Sequence, residues 1–297
     1  MTSITADFAF IIEGPDGQGK TTLAKKLAKQ LNGMYFHFDE LPHWKNGIAR
    51  LYYDAIMIAA SGGANVVIDR AWQSEEVYSA IFNRTPRVSR VEERMLERAW
   101  WITGHNGLLC MRKDPMAAYL ENVDKRVELV SDVSVMQDVI DNYSVMPFKR
   151  FDWRENSLDD LEVTSNNVPV DFEAVGNPGA KVILVGESYG DRKAGDSLWQ
   201  RPFISFSRQG VAWWFTQKLE EYQIDESDLF WLNADRLPPK MEGYQQFIAL
   251  GKVAAQAVRK IGIAPIELPH PQYVKRFRHN DDTMFKTIKS VVEEWNP

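Results

Sequence analysis

Cysteine is almost absent from this chain, since its 297 residues contain one, Cys110. A single thiol cannot form an intrachain disulfide, and it cannot supply a cysteine-rich zinc site or a four-cysteine iron–sulfur cluster. A protein that does without disulfides is typical of a reducing compartment. We therefore expect a cytoplasmic protein.

Long apolar runs and an excess of positive charge are lacking too. No run of 18 apolar residues is present, and residues 1–17 lack the basic and apolar regions of a secretory leader. We therefore expect neither a membrane partner nor export. The formal net charge of −6 excludes a globally basic surface for nucleic acid but leaves a local basic face open. Hydrophobic residues at 44% and charged residues at 26% are ordinary for a globular protein.

Length and hydrophobic periodicity predict two α/β domains, because domains average roughly 150 residues. Residues 155–170 are polar and are the expected linker between a region 1–160 and a smaller region 170–297. Short apolar strands alternating with helices indicate a parallel sheet flanked by helices in each region. The first region is predicted to have strands at 8–13, 65–68, 108–111 and 150–153 and helices at 20–31, 46–60, 89–103 and 131–143. The second is predicted to have strands at 181–185, 229–232 and 263–268 and helices at 208–222, 244–261 and 281–295.

A phosphate-binding loop follows the first predicted strand. Residues 14–21, GPDGQGKT, fit the pattern G-x-x-x-x-G-K-[ST] and precede a predicted helix. Glycines in such a loop let backbone N–H groups converge on phosphate oxygens, and the helix adds its positive N-terminus. The pattern predicts that ATP or another nucleoside triphosphate binds here, with Lys20 on the β- and γ-phosphates and Thr21 on Mg²⁺. The predicted nucleotide-binding residues are Gly14, Gly17, Gly19, Lys20, Thr21 and Thr22.

A second motif, VVIDRAWQSEEVY at 66–78, indicates the kind of phosphate-loop protein. Together with IIEGPDGQGKTT at 11–22, it resembles the thymidylate and deoxynucleotide kinases, particularly those encoded by phages, over about residues 8–153. The resemblance implies that Asp69 lies by the metal and the transferred phosphate and that Arg70 orients the phosphate acceptor. A strand-end carboxylate facing the loop and a rigid guanidinium suit those roles. A structural ion pair is the alternative.

The same family has an acidic residue in the phosphate loop and arginines on a lid. Asp16 matches the acidic position and would position an acceptor hydroxyl or take its proton, whereas a turn-forming aspartate is the alternative. The loop itself contains no arginine, so the resemblance implies one from a lid. Arg126 is the preferred candidate among Arg112, Lys113, Lys125 and Arg126.

Three other features leave alternatives open. His37 and His43 could bind a metal, but no further ligand has suitable spacing, and aromatic packing around an acceptor base is the preferred interpretation of 34–45. The arginines at 84, 87, 90, 94 and 98 are interpreted mainly as helical surface charge. Those between 84 and 90 could instead contact a phosphodiester backbone. The ten tryptophans are either core residues or partly a base-binding surface.

The second region carries short motifs in the order found in the uracil-DNA glycosylases. They are GESYG at 186–190, RPF at 201–203, LNA at 232–234 and HP at 270–271. The resemblance implies that Phe203 stacks on a base, Asn233 reads a pyrimidine edge, His270 meets a base carbonyl and Glu187 is the loop acid. Gln272 stands where that family has serine, which favours base binding without glycosidic cleavage. An unrelated α/β domain is the alternative.

The residues after His270 would then hold phosphates next to a flipped nucleotide. Lys275, Arg276 and Arg278 are the candidates for these DNA contacts.

The pairing of the two regions suggests a substrate. The chain resembles phage kinases that phosphorylate the hydroxymethyl group of 5-hydroxymethyluracil in DNA, which would place it in the host cytoplasm. Two alternatives are a deoxynucleoside monophosphate kinase acting on free nucleotides and a DNA-binding or repair protein whose loop only senses nucleotide.

Overall fold

The computed structural model describes residues 7–38, 47–123, 130, 132–164, 174–187, 201–237, 246–278 and 281–295. These residues form two compact units. The first unit takes in the described residues of 6–89 and 103–165, and the second takes in 90–102 and the described residues from 166 onward.

The first unit is built on a five-stranded parallel sheet. Its strands are β1 (Ala9–Glu13), β2 (Met34–His37), β3 (Val66–Asp69), β4 (Asn106–Cys110) and β5 (Lys149–Phe151), in the order β2-β3-β1-β4-β5. Its helices are α1 (Lys20–Gln30), α2 (Ile48–Ala60), α3 (Gln73–Ile81), α5 (Pro115–Val123) and α6 (Val133–Ser144). The predicted α/β class with a parallel sheet flanked by helices is confirmed.

Alternating residues of the strands place helices on both faces of this sheet. Leu108 and Cys110 of β4 pack in one cluster with Leu23 and Leu27 of α1. Leu109, which lies between them, packs in the opposite cluster with residues of α3 and α6, such as Val77 and Val139. All five residues of β1 are buried, as expected for the central strand.

The second unit has a sheet of its own, in the order β10-β9-β7-β8-β6. Its strands are β6 (Val175–Gly176), β7 (Val182–Gly186), β8 (Leu229–Asn233), β9 (Gln246–Leu250) and β10 (Ile266–Leu268). Its helices are α4 (Arg90–Trp101), α7 (Val211–Glu221), α8 (Lys252–Lys260), α9 (Pro271–Phe277) and α10 (Thr283–Trp295). Strands β10, β9, β7 and β8 are parallel, and β6 pairs antiparallel with β8. The predicted second α/β unit is therefore present.

The single helix predicted over 244–261 is wrong. Residues 246–250 form the buried strand β9, and α8 starts only at Lys252. The two are separated by Gly251, whose φ of 110° cannot continue a helix. The apolar run QFIAL fits a buried strand and a buried helix equally well, and only the sheet selects the strand.

Helix α4 joins the second unit through a fully buried arginine. The Nε and Nη2 atoms of Arg98 donate to the two carboxylate oxygens of Glu226 at 2.9 and 2.6 Å. Its guanidinium lies 4.0 Å from the ring centroid of Trp231. The charge is thus paired, hydrogen-bonded and stacked, which is what allows an arginine to be buried. Within the described part of the chain, the helices are too short or too polar to cross a bilayer.

Candidate functional site

The phosphate-binding loop lies between β1 and α1, where the motif predicts it. Its glycines have positive φ, and two are required by close neighbours. A Cβ on Gly14 would lie 2.3 Å from the carbonyl oxygen of Cys110, and one on Gly19 would lie 2.4 Å from Nε1 of Trp153. The loop backbone therefore passes very close to Cys110, at the end of β4, and to the Trp153 ring.

An open cavity of about 410 Å³ lies against this loop. Its lining combines the predicted residues with others that the sequence analysis did not select. The lining residues are Asp16, Gly17, Gln18, Gly19, Lys20, Thr21, Thr22, His37, Asp69, Arg70, Arg112, Asn122, Trp153 and Arg154. Most of the predicted nucleotide-binding residues and Asp69 and Arg70 therefore meet at one place.

Asp69, at the end of β3, receives hydrogen bonds from two directions. Its Oδ2 accepts from Thr21 Oγ1 at 2.7 Å and from Tyr35 Oη at 2.8 Å, and His37 Nδ1 lies 3.3 Å away. Burial raises the pKa of Asp69, but the bonds from His37 and Thr21 outweigh it and leave the pKa at about 2. Asp69 is therefore a carboxylate at any physiological pH. Its other oxygen, Oδ1, is buried and has no hydrogen-bond partner among the described residues.

Asp16, Lys20 and Arg70 form a charged group beside Asp69. Arg70 Nη2 donates to Asp16 Oδ1 at 2.5 Å, and Lys20 Nζ lies 3.8 Å from the same oxygen. Lys20 also donates to the carbonyl of Pro15 at 2.6 Å. Burial raises the pKa of Asp16, but the charges of Lys20 and Arg70 outweigh it and lower that pKa. Burial and the charge of Arg70 lower the pKa of Lys20.

Arg70 is held in an unusual backbone conformation. Its φ is 71°, in the left-handed region that side chains rarely adopt. Its amide donates to Ile12 O at 2.9 Å, and its guanidinium lies 4.8 Å from the ring centroid of Tyr78. Strain of this kind persists where neighbouring contacts hold the residue and is concentrated at functional sites.

A buried carboxyl beneath the loop supports this turn. Glu13, the last residue of β1, accepts from the amide of Ala71 at 2.8 Å and from the hydroxyl of Ser74. The Ser74 hydroxyl is in turn 2.7 Å from Tyr143 Oη. Burial raises the pKa of Glu13. Glu13 thus fixes the residues after Asp69 and Arg70, although no sequence motif pointed to it.

The lid candidates are only partly described. Arg126, the preferred one, and Lys125 lie outside the described residues. Arg112 lines the cavity, whereas the backbone amide of Lys113 bonds to Asp152. Arg154, which the sequence analysis missed, lines the same cavity.

The three arginines between 84 and 90 all pair with carboxylates, Arg90 with Glu93 Oε2 at 3.1 Å and the other two with Glu75. Arg84 Nη1 donates to Glu75 Oε2 at 3.0 Å, and Arg87 Nε donates to Glu75 Oε1 at 2.8 Å. The backbone amide of Arg87 also donates to Glu75, at 3.1 Å. Arg84 and Arg87 close the turn after α3 around a buried carboxylate. His43, the other histidine considered for a metal, lies outside the described residues.

The predicted base-binding residues of the second unit meet at the carboxyl end of its sheet. Gly186 and Asn233 are register partners at the ends of β7 and β8. A Cβ on Gly186 would lie 2.7 Å from Cε2 of Phe203 and 3.1 Å from Oδ1 of Asn233, so the ring and the amide flank this glycine. Glu187 Oε2 lies 3.9 Å from His270 Nε2. The Nδ2 of Asn233 is buried without a hydrogen-bond partner in the described part of the chain.

Phe203 is held by the buried arginine of α4. Its φ is 54°, and its carbonyl accepts from Arg98 Nη1 at 2.6 Å. Its ring centroid lies 5.3 Å from that of Phe215 and 5.1 Å from that of Trp231. The sequence analysis interpreted the arginines of α4 as surface charge and so missed this contact.

The three predicted phosphate-binding cations on and after α9 differ in their surroundings. Lys275 Nζ donates to the carbonyls of Gln209 and Gly210 at 2.6 and 2.9 Å. Arg278 Nη1 lies 3.6 Å from Asp281 Oδ2 on the surface, and Arg276 is exposed. Lys275 therefore holds α9 against the start of α7, while the two arginines face solvent.

Comparisons with known proteins found likenesses in structure alone. No protein-family model matches the chain, and no curated protein matches it. Solved structures that resemble it include the YorR protein of Bacillus subtilis in complex with phosphorylated GDP, at 20% identity and a TM-score of 0.37, over 49% of this chain and 84% of that one. They also include deoxyadenosine kinase from M. mycoides with bound dATP, at 15% identity and a TM-score of 0.30, over 51% and 93%. Likenesses at this level assign neither a family nor an activity to the chain.

Proposed function

We propose that this protein transfers the γ-phosphoryl group of ATP to the 5-hydroxymethyl group of 5-hydroxymethyluracil in DNA. The observation that carries the proposal is the meeting of Lys20, Thr21, Asp69 and the Asp16–Arg70 pair around one cavity beside a phosphate-binding loop. These groups supply cations for phosphate, oxygen ligands for a metal and a carboxylate near an acceptor.

The donor side follows from the loop and α1. Backbone N–H groups at the N-terminus of α1 favour phosphate oxygens, and the ammonium of Lys20 exchanges the Pro15 carbonyl for a phosphate oxygen. Burial and the charge of Arg70 lower the pKa of Lys20, and the negative charge of a bound polyphosphate would favour its charged form.

The residues present fit Mg²⁺. Asp69 Oδ1 is a buried carboxylate oxygen without a partner among the described residues, and Thr21 Oγ1 lies against the other oxygen of the same carboxylate. Mg²⁺ usually keeps several waters and is bound through one or two carboxylates together with substrate phosphates, which matches a site with a single carboxylate such as Asp69. When bound, Mg²⁺ neutralises charge on the transferring phosphate.

The chemical step exchanges one phosphorus–oxygen bond for another. The acceptor hydroxyl oxygen forms a bond to the γ-phosphorus, the bond to the oxygen of ADP breaks, and the hydroxyl proton passes through Asp16 to water. The lowered pKa of Asp16 makes it a weak base, so its main task is to orient the hydroxyl. Arg70, Arg112 and Arg154 stabilise charge on the transferred group.

The second unit would present the base. Phe203 offers a stacking face, and Nδ2 of the buried Asn233, which has no hydrogen-bond partner in the described ranges, is a donor for a pyrimidine carbonyl. Nδ1 of His270 accepts from the amide of Gln272 at 3.2 Å, so the neutral ring carries its proton on Nε2, the atom that lies 3.9 Å from Glu187 Oε2. Cleavage of the glycosidic bond is not proposed, because excision would destroy the product.

The test uses γ-labelled ATP with two acceptors, an oligonucleotide containing 5-hydroxymethyluracil and free deoxynucleoside monophosphates. We expect label in the oligonucleotide and little in the monophosphates. Label in monophosphates alone would favour a free-nucleotide kinase, and ATP binding without transfer to either acceptor would favour a nucleotide sensor.

Variants of the second unit separate base presentation from phosphoryl transfer. Phe203→Ala and Asn233→Ala should each lower the DNA reaction by at least tenfold and leave any activity on free nucleotide unchanged. Gln256→Ala, on the exposed face of α8, is the matched control. Undiminished DNA phosphorylation in both variants, or abasic sites in the treated DNA, would contradict this assignment.

A further inference from the structure

The outer face of α9 carries two exposed aromatic rings. Tyr273 and Phe277 are four residues apart, so they lie on the same side of the helix. They are 45% and 70% exposed, and Phe277 is the most exposed aromatic side chain among the described residues. Their ring centroids are 5.4 Å apart, with planes at 42°. Single exposed apolar residues need no explanation, but an adjacent pair of rings offers two stacking surfaces.

The helix that carries these rings is fixed in place. Pro271 and Val274, on its inner side, are buried. Lys275 ties it to the carbonyls of Gln209 and Gly210. The rings are therefore presented at a defined position, which lowers the entropy lost when a ligand stacks on them.

The charge around the rings is positive. Residues 271–278 contain three cations and no acidic residue. Arg276, on the same face as the rings, is exposed. Arg278 lies with its guanidinium 5.5 Å from the ring centroid of Tyr273, although it also approaches Asp281 at 3.6 Å. We call Tyr273, Arg276 and Phe277 the α9 face.

A second pair of an arginine and an aromatic ring, like Arg278 and Tyr273, lies next to the residues that bind Lys275 of this helix. The guanidinium of Arg208 lies 5.6 Å from the ring centroid of Trp213, and the carbonyls that hold Lys275 belong to the residues between them. Aromatic rings alternating with arginines suit a nucleic-acid strand, since the rings stack on bases and the guanidinium groups hold phosphates. Duplex DNA offers no exposed base face to such rings.

The α9 face also follows directly, along the chain, the residues proposed to bind the base. His270 immediately precedes the helix, and the six steps from Pro271 to Phe277 span about 9 Å at 1.5 Å per residue. That distance corresponds to about three stacked nucleotides at 3.4 Å each. A strand whose target base lies near His270 therefore reaches Phe277 within a few nucleotides.

We propose that the α9 face binds single-stranded DNA, with bases stacked on Tyr273 and Phe277 and Arg276 on a phosphate. This deepens the proposed function, on which it rests for the identity of the acceptor, because it names the strand state and the residues that hold the flanking nucleotides.

The test measures the binding of fluorescein-labelled DNA by the full chain, using anisotropy. The probes are a 12-nucleotide oligothymidylate, an abasic strand of the same length and a duplex.

Two substitutions of Phe277 separate the ring from its apolar character. Phe277→Leu keeps an apolar side chain but removes the ring, and Phe277→Trp keeps a stacking face. We expect about tenfold weaker oligothymidylate binding for Phe277→Leu and Arg276→Gln, and unchanged binding for Phe277→Trp and for the surface control Lys289→Ala on α10. We also expect the abasic strand and the duplex to bind more weakly than oligothymidylate.

Several results would overturn the proposal. They are unchanged binding by Phe277→Leu, equal affinity for the abasic strand, preference for the duplex, or self-association that Phe277→Leu abolishes, which would make this face an interface between copies of the chain. Phosphorylation of an oligonucleotide containing 5-hydroxymethyluracil is measured in parallel. If DNA binding depends on the Phe277 ring but no phosphoryl transfer occurs, the proposed function alone is contradicted. If phosphoryl transfer occurs at the same rate in Phe277→Leu as in the unchanged protein, the α9 face alone is contradicted.

Discussion

Asp69 shows how much of the site depends on single side chains. The strand-end Asp-Arg pair identified it from the sequence, and the structure adds Tyr35 and His37 as its neighbours. These two residues belong to β2, a strand that the sequence analysis did not predict. Their bonds hold the carboxylate in one orientation, with one oxygen on Thr21 and the other without a hydrogen-bond partner among the residues that the structure describes.

Lys20→Ala should abolish phosphoryl transfer while the protein stays folded. The substitution removes the ammonium that the loop itself contributes, and losing a single electrostatic contact of this kind costs about 10²–10³-fold in kcat. Steady-state kinetics with labelled ATP measures the effect, and circular dichroism checks the fold. Lys29→Ala, an exposed lysine in the last turn of α1, is the matched control. Near-normal turnover by folded Lys20→Ala would refute the assignment.

Asp69→Asn and Arg70→Ala should lower kcat rather than only raise KM for ATP. Both side chains lie at the strand end beside the loop, where the transferred phosphate is expected. Removing either one should therefore destabilise the transition state more than it weakens ATP binding. We expect at least a 10²-fold fall in kcat for each, with Asp69→Asn also requiring more Mg²⁺. A change confined to the KM for ATP would place both residues elsewhere in the nucleotide site.

At the scale of elements, the turn after α3 is closed by one buried carboxylate. Glu75 receives bonds from both Arg84 and Arg87, so these two arginines help to hold the turn of the first unit in place. Burial raises the pKa of Glu75, but the bonds from Arg87 and Arg84 outweigh it and lower that pKa.

Glu75→Gln should therefore lower the free energy of unfolding by about 1–2 kcal/mol at pH 7, the size expected for charge-assisted bonds to partly exposed arginines. Because the folded pKa is lowered, the contribution of Glu75 is complete above the unfolded value of about 4.5 and is lost as the pH falls below it. Urea titrations of both proteins between pH 7 and 3 measure the difference, with Glu76→Gln as the control. A difference that grows on acidification would contradict this account.

For the whole molecule, the sequence order of the elements differs from their grouping in space. Helix α4 lies between α3 and β4 in the chain, yet it belongs to the second unit, where Arg98 pairs with Glu226. The expected division into 1–160 and 170–297 thus separates α4 from the unit that it packs in.

A fragment of residues 166–297 should therefore fail to fold cooperatively. Without α4, the fragment has no Arg98 to pair with Glu226 or to cover Trp231. Losing one partner of a buried ion pair alone lowers the free energy of unfolding by about 3–5 kcal/mol. Joining residues 90–102 to the fragment through a flexible linker should restore a cooperative thermal transition by circular dichroism. A fragment that melts cooperatively without α4 would show that the helix is dispensable.

The sequence alone determined the features that depend on local pattern. The loop 14–21, the helix after it and the strands around 66–69 and 182–186 follow from glycine spacing and apolar periodicity, and the bounds agree within a residue or two. Asp16, Asp69 and Arg70 were identified from short motifs and the family resemblance that those motifs carry, because each lies within or at the end of a locally recognisable segment.

Tertiary structure alone decided everything that joins residues distant in the chain. It made 246–250 a strand, because an apolar run takes its conformation from the sheet it joins. It buried Arg98 against Glu226, 128 residues away, and brought Glu13, Tyr35 and Arg154 to the site. Periodicity reports which face of an element is apolar, but which charges become paired depends on the elements that pack together, and a single sequence does not record that.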